Sequence, residues 1–499
     1  MFLIRRRVIL YRHTHLSQFI TRIVQSHWST GLTNFTHNNN TYNNKHNLFS
    51  SMTIDHLQTF QTKQWAIDIN KTRDELLSDP CIHECSELLQ QNNVIALPTE
   101  TVYGLAGNAL SDDAIQRIYH AKGRPSDNPL IVHCSDIAAV QKIAVLNKPD
   151  DSGSDTAQYD TANALAYKLA QTFWPGPLTI VLPSISGRLS KYVTASLDTV
   201  AIRIPSHPIT LSILQYSQLP LAAPSANLSG RPSPTRAQHV HDDLNTRISG
   251  IVDSGTCGVG VESTVVECTI ERGNIPTITI LRPGIVTKSI IEELFDNKVS
   301  VQYDPAIHEA QLKHNLSSSP RNRSSTTLHS QSLSHSLSYS SIYSSASPLV
   351  IHDSDMNGII PRAPGMKYQH YAPQAPLYII DGDSEVFTRH IQHTLDQRDL
   401  KIGLLVTQEL CDSIQQELGG AYKADRFHIC ISGNDANDLH TVAITLYDHL
   451  RGFDSANVHI IYAQLYPNHG IGEAIMNRLD KAAAHKYIYQ SSDLIQFDD

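Results

Sequence analysis

Between Asp74 and Phe295 the chain keeps returning to short apolar runs that end in proline, glycine, serine or threonine. "VIALPT", "LIVHC", "LTIVLP", "VAIRIP", "LAAPSA", "IVDSG", "STVVEC" and "TITILRPG" read as strands. Among them "SDDAIQRIYHAKG" reads as a helix capped by Ser111, with Ile115, Ile118 and Tyr119 on one face. Strands alternating with helices predict an α/β domain. Strand ends rich in turn formers leave backbone donors and hydroxyls facing a common cleft.

At 499 residues the chain exceeds one ordinary core and predicts two domains plus extra segments. The first is expected over 70–300. A second, over 377–490, is announced by "LYIID", "KIGLLVT", "RFHICI" and "VHIIYAQL", alternating with the helical stretches "ANDLHTVAITLYDHL" and "GEAIMNRLDKAAAH". That pattern predicts a small parallel sheet with covering helices. It carries no evident catalytic cluster and reads as a regulatory or lid domain.

Between the two, residues 309–360 are dominated by serine, and no acidic residue stands between Glu309 and Asp353. Such a window buries too little apolar surface to offset chain entropy and predicts a disordered linker insert. "PRAPGMKYQHYAPQAP", over 361–376, reads as a lid or linker motif. Residues 1–54 hold Arg5, Arg6, Arg7, Arg12 and Arg22 before the first acidic residue, Asp55, as a targeting or disordered extension would. The expected location is the cytoplasm, with mitochondria a second destination through that extension.

A formal charge of −9 gives no general attraction for nucleic acid, so any RNA contact must be local. The seven cysteines contain no CxxC pair, which argues against a disulfide framework and against a thiolate zinc site. No apolar run approaches the ~20 residues that span a bilayer.

The chemistry is foreshadowed by cations in apolar company. Lys122 and Arg124 flank Gly123 after the predicted helix, and Pro125 and Pro129 stiffen the segment leading into "LIVHC". Taken alone, such a pair reads as solvated surface charge. Arg203, however, lies inside the apolar run "TVAIRIP", where a guanidinium is costly unless an anion or carboxylate meets it. "LPTETVYG" adds Thr99 and Thr101, "AAPSANLSGRPSPT" adds Ser225, Asn227, Ser229 and Thr235, "GVGVESTVVE" adds Ser263 and Thr264, and "ILRPG" adds Arg282. Converging donors of this kind make an anion site. There is no GxxxxGK[ST], no GxSxG and no HExxH, and the histidines lack metal-ligand spacing. Magnesium carried on nucleotide phosphates fits better than a metal held by the protein alone.

Taken in order, "LPTETVYGLAGNA", "AKGRPSDNPLIVH", "FWPGPLTIVL", "VAIRIPSHP", "APSANLSGRPSPT" and "GVESTVVE" resemble the motif series of the YrdC-like threonylcarbamoyl-AMP synthases. "APGMKYQHYAP" and "GIGEAIMNRLDKAA" are similar to the linker and C-terminal domain of the family's longer members. The resemblance implies a YrdC-like twisted-sheet domain with a cleft, followed by a smaller Rossmann-like α/β domain. It implies that L-threonine, bicarbonate and ATP become threonylcarbamoyl-adenylate and pyrophosphate, for tRNA threonylcarbamoyladenosine modification by a downstream transferase complex. Thr101, His133, Arg203, Ser225 and Ser263 would then hold threonine. Arg124, Asn128, Thr199, Asn227, Thr235, Arg282 and Tyr371 would hold ATP, with Lys122 and Arg124 neutralising phosphate as the catalytic cations. The rival readings are an RNA-binding module taking double-stranded RNA or tRNA, and an adenylating enzyme that uses carbamoyl phosphate.

Overall fold

The computed structural model describes residues 61–148, 161–305, 307, 361–362, 370–397 and 400–489. The expectations for 1–54 and 309–360, and for most of the 361–376 motif, therefore fall outside the described residues.

Local chemistry sets each element that carries a site residue. The helix Asp112–Lys122 begins where the Ser111 hydroxyl accepts from the Ala114 amide, with Asp112 and Asp113 in its first turn. It stops at Gly123, whose φ of 60° is the left-handed cap that glycine adopts freely. Lys122 thus closes the helix and Arg124 leaves it in a new direction. The strand Ile95–Leu97 ends before Pro98, which has no amide to donate. "LAAPSA" pairs only over Leu221–Ala222 and an isolated bridge from Ser225 to Gly104, for the same reason: Pro224 interrupts the ladder.

Eleven strands form the large sheet, in spatial order Lys63–Ala66, Gly250–Asp253, Ile95–Leu97, Gly104–Asn108, Leu221–Ala222, Ile131–His133, Thr199–Arg203, Leu178–Pro183, Thr264–Glu271, Ile275–Arg282 and Ser300–Tyr303. Parallel and antiparallel pairs are mixed, as where Thr199–Arg203 runs parallel to Ile131–His133 and antiparallel to Leu178–Pro183. Both faces are covered. Ile95 and Leu97 enter a core with Ile82, Leu89, Ile209 and Ile213, whereas Ala96 between them faces a larger core with Ile115, Ile118, Leu169 and Ile202.

The second sheet runs Phe427–Ile431, Ile402–Val406, Ile460–Gln464, Leu377–Ile380 and Tyr487–Ile488, and every pair is parallel. Leu404 and Val406 face one core, Leu405 the other. The second of these cores is not private to its domain: Val102, Val259 and Val261, all from loops of the first domain, pack in it beside Leu446, Leu450 and Leu479. Fully burying one such side chain contributes roughly 1.5–3 kcal/mol. Gly260 sits between two of these valines at a φ of 80°, where a Cβ would come within 2.3 Å of the Ala443 carbonyl oxygen. The loop therefore lies directly on the backbone of the helix Leu439–Ser455.

Candidate functional site

Residues far apart along the chain line one hollow of about 70 Å³. Lys122, Arg124, Arg203 and Arg282 all reach it, together with Thr99, Thr101, His133, Ser225, Asn227, Ser229, Ser263, His370 and Tyr371. Three residues from the expected ATP set do not line it. Thr199 lies at the start of its strand, half-buried and paired opposite Pro183. Asn128 is buried behind Arg124, and its carbonyl receives the Tyr119 hydroxyl at 2.9 Å. Thr235 is fully buried, with its amide donating to His239 Nδ1.

Arg203 is met by the acid its surroundings demanded. Its guanidinium lies 2.7 Å from Glu100 Oε1, and both side chains are almost inaccessible. It also donates to the Thr101 hydroxyl at 2.9 Å and to the Gly176 carbonyl at 3.1 Å. Burial favours a neutral Glu100, yet Arg203 and the Ser206 amide hold its carboxyl below the usual range. Thr99 and Thr101 do share a side, through a turn past the strand end that puts their hydroxyls 2.9 Å apart. His133 beside them is pushed down to about 3 by burial and by Arg203, so it stays a neutral imidazole near pH 7.

Lys122 is positioned differently from a phosphate-seeking surface lysine. Its ammonium donates to the Ser225 and Asn227 carbonyls, and burial and Arg124 carry its pKa well below normal. It fixes the "SAN" loop whose side chains line the hollow. Arg124 donates to the Pro129 carbonyl at 3.2 Å, while its Nε, also buried, has no partner among the described residues. The Asn128 amide atoms, His133 Nδ1 and the Thr235 hydroxyl are likewise buried without partners. Each such group costs roughly 1–3 kcal/mol if nothing answers it.

On the opposite wall Arg282 donates to the Ser263 carbonyl and hydroxyl, both at 3.1 Å, and Ser263 meets the Thr179 hydroxyl at 2.8 Å. Next to Ser263, the buried Glu262 also lines the hollow. Tyr371 roofs the cavity. Its φ of 68° is unusual for a bulky residue and turns its ring onto that of Tyr447, 5.3 Å away. The strap that carries it is held from both sides: the Ala372 amide donates to the Gly230 carbonyl at 3.0 Å, and the Gln374 amide donates to Asp454 Oδ1 at 2.8 Å.

Four residues escaped the reading from sequence: Glu262, Ser233, and from the second domain Tyr447 and Arg478. Arg478 had a signal. In the helix Gly472–Ala482 the buried positions include Ala474, Ile475, Met476, Leu479 and Ala482, and Arg478 shares their face. A charge on an apolar helix face poses the same demand as Arg203 in its strand.

An α/β cleft walled by buried cations and hydroxyls defines a protein that binds oxyanions such as carboxylates and phosphates. Comparison with known proteins narrows that class. The Sua5, YciO and YrdC family model, described as telomere recombination, matches residues 87–284, and a model for the threonylcarbamoyl-AMP synthase C-terminal domain matches 338–484. The threonylcarbamoyl-AMP synthase of Bacillus subtilis is 41% identical over 429 residues, covering 86% of this chain and 99% of that one. The namesake in Schizosaccharomyces pombe is 32% identical, over 78% of this chain and 85% of its own. The crystal structure of Pyrococcus abyssi Sua5 complexed with L-threonine superposes with a TM-score of 0.61 at 30% identity, covering 86% of this chain and 99% of that one. The chain belongs to the threonylcarbamoyl-AMP synthase family, in its two-domain form. Among the described residues no helix is long and apolar enough to cross a membrane.

Proposed function

We infer that this protein condenses L-threonine, bicarbonate and ATP into threonylcarbamoyl-adenylate and pyrophosphate, the activated intermediate for tRNA threonylcarbamoyladenosine modification. The observation that carries this reading is the convergence of Lys122, Arg124, Arg203 and Arg282 on one hollow lined by hydroxyls. An amino-acid carboxylate, bicarbonate and a triphosphate need such a field, and the Arg124 Nε, unpartnered among the described residues, is a buried donor left for a ligand.

The reaction needs no covalent enzyme intermediate. The threonine amine adds to carbon dioxide derived from bicarbonate, and the carbamate oxygen attacks the α-phosphorus of ATP in line as pyrophosphate leaves. The protein's part is orientation, charge stabilisation and exclusion of water, which would destroy both carbamate and mixed anhydride. Thr101, His133, Arg203, Ser225 and Ser263 are assigned to threonine. Arg124, Asn227 and Arg282 are assigned to ATP, with Tyr371 closing over it. Asn128 and Thr235 would serve ATP from just behind the lining, and Thr199 from the strand edge. Lys122 holds the Ser225 to Asn227 loop and, with Arg124, supplies the cationic wall that neutralises phosphate.

Ligand pockets typically measure roughly 300–1,000 Å³, far more than the hollow beneath Tyr371, so the strap acts as a lid that opens for nucleotide. Magnesium comes in on the triphosphate. The described residues contain no group of three or more metal-ligating side chains, and Glu262, the carboxylate in the lining of the hollow, is committed to Arg478. We assign the protein to the cytoplasm and, through its Arg-rich extension, to mitochondria. Its product goes to a separate transferase complex, and local contact with tRNA or double-stranded RNA accompanies that hand-over.

The test is pyrophosphate release from ATP with threonine and bicarbonate omitted in turn. Dependence on both supports the synthase. Release with carbamoyl phosphate and without threonine supports the rival adenylating enzyme, and no release with salt-sensitive RNA binding supports the RNA module.

A further inference from the structure

We propose that Arg478 and Tyr447 of the second domain are positioning residues for L-threonine, acting through Glu262. This deepens the synthase reading and rests on it.

Glu262 sits in the wall of the hollow beside Ser263 and is buried. Its Oε1 receives the Ser233 hydroxyl at 2.6 Å and the Tyr447 hydroxyl at 3.0 Å. Its Oε2 receives the Tyr447 hydroxyl at 2.9 Å and Arg478 Nε at 3.0 Å. Both oxygens are therefore committed, and the carboxylate is a poor candidate for a general base. Left unpaired, however, it would be a negative charge directly beside Ser263, one of the hydroxyls assigned to threonine and its carboxylate.

Arg478 prevents this from behind. It is fully inaccessible, donates also to the Pro283 carbonyl, and comes from a helix whose other buried residues belong to the second domain's core. Pro283 directly follows Arg282, which holds both the carbonyl and the hydroxyl of Ser263. One guanidinium thus pins the two chain segments that present the Ser263 hydroxyl and cancels the charge between them. Tyr447, from the helix Leu439–Ser455, fixes the same carboxylate and packs at a tilt against Tyr371 in the roof. Although burial opposes it, the surrounding Arg478, Arg282 and Ser233 hold the Glu262 carboxyl at about 2, so it stays ionised and needs its cation throughout the working pH range. The geometry gives the second domain a direct part in the threonine site.

The experiment is steady-state pyrophosphate release by the full chain, with threonine and ATP varied separately. Arg478→Ala is expected to raise the threonine KM about tenfold while the ATP KM moves by less than about threefold. Adding Glu262→Gln to that variant removes the orphaned charge and should recover at least half of the loss, which general destabilisation would not allow. Tyr447→Phe, which deletes one hydroxyl and keeps the ring, should raise the threonine KM about two- to fivefold and supplies the test if Arg478→Ala fails to fold. Equal rises in both KM values, no rise in either, or a double variant no better than Arg478→Ala would overturn the proposal. Absence of threonine-dependent release from the unaltered chain would instead overturn the synthase reading, and this role with it.

Discussion

Arg203 and Arg478 are both buried guanidiniums facing one buried carboxylate, yet the first belongs to the sheet that walls the hollow and the second arrives from a helix of the other domain. The Arg203 pair forms when the first domain folds, because strand Thr199–Arg203 and the turn bearing Glu100 belong to it. The Arg478 pair exists only once the domains have docked. A second crossing pair, between Arg451 and Asp243 at 2.8 Å, behaves likewise. Asp243 also receives the Leu228 amide and Arg231, so this pair steadies the loop that follows Ser225 and Asn227. The lesson is that one domain makes the hollow and the other sets the charge balance of its walls.

The sharpest way to break this comparison is Arg203→Ala. It leaves Glu100 buried and unpaired, and should lower the unfolding free energy by roughly 3–5 kcal/mol while abolishing pyrophosphate release. Urea denaturation and the release assay check both halves. If stability hardly changed, the pair within the first domain would be no more deeply set than a surface one.

Next in size is Gly260→Ala, aimed at the docking itself. A Cβ there meets the Ala443 backbone and the residue keeps a positive φ, so roughly 2–3 kcal/mol should be lost. The expected signature is faster proteolysis between the domains with the first domain still folded.

Acid should separate the two contributions further. Burial holds His133 at about 3 and His207 at about 4, well below the ordinary value near 6.5. Below that value the unfolded chain binds protons that the folded chain refuses, so stability falls as pH drops from about 6.5 towards 4, by up to about 1.4 kcal/mol per pH unit for each histidine. Glu262, held at about 2, contributes stability above the unfolded carboxylate range and loses it only below roughly pH 4.3. Burial also lowers His370 of the strap and His428 and His449 of the second domain, so denaturation midpoints at pH 7, 6 and 5 should report all of these histidines, and His207→Gln should flatten the slope by the first domain's share.

The smallest effect is reserved for the rim. Arg236 and Asp448 also pair across the domains, at 2.7 Å, but Arg236 is half exposed. Arg236→Ala should cost less than about 1 kcal/mol and leave both KM values in place. A large effect would mean that distance alone, rather than burial, ranks the crossing pairs.

Much of the first domain was legible because its chemistry is local. Ser111 and Gly123 mark the helix ends by their own capping preferences, and Arg203 in an apolar strand announces a buried partner. The small parallel sheet was readable from its runs in the same way. What the second domain gives the site was not, since Arg451 and Tyr447 lie on a helix where one arginine and one tyrosine look like ordinary solvated or core residues. Their meaning depends on Asp243 and Glu262, about 200 positions earlier by the separations of 208 and 185 residues, and no local pattern links the two. The ATP set spreads beyond the lining of the hollow for a related reason. Asn128 and Thr235 are placed by tertiary packing one layer behind the cavity surface, which a motif cannot distinguish from the surface itself.

Val259 and Val261 anchor the very loop that continues into Glu262 and Ser263. The wall of the hollow and the domain joint are consequently a single piece of chain, so a shift at this joint reaches the site. A compound wedged beneath Gly260 would act as an inhibitor although it never touched threonine or nucleotide.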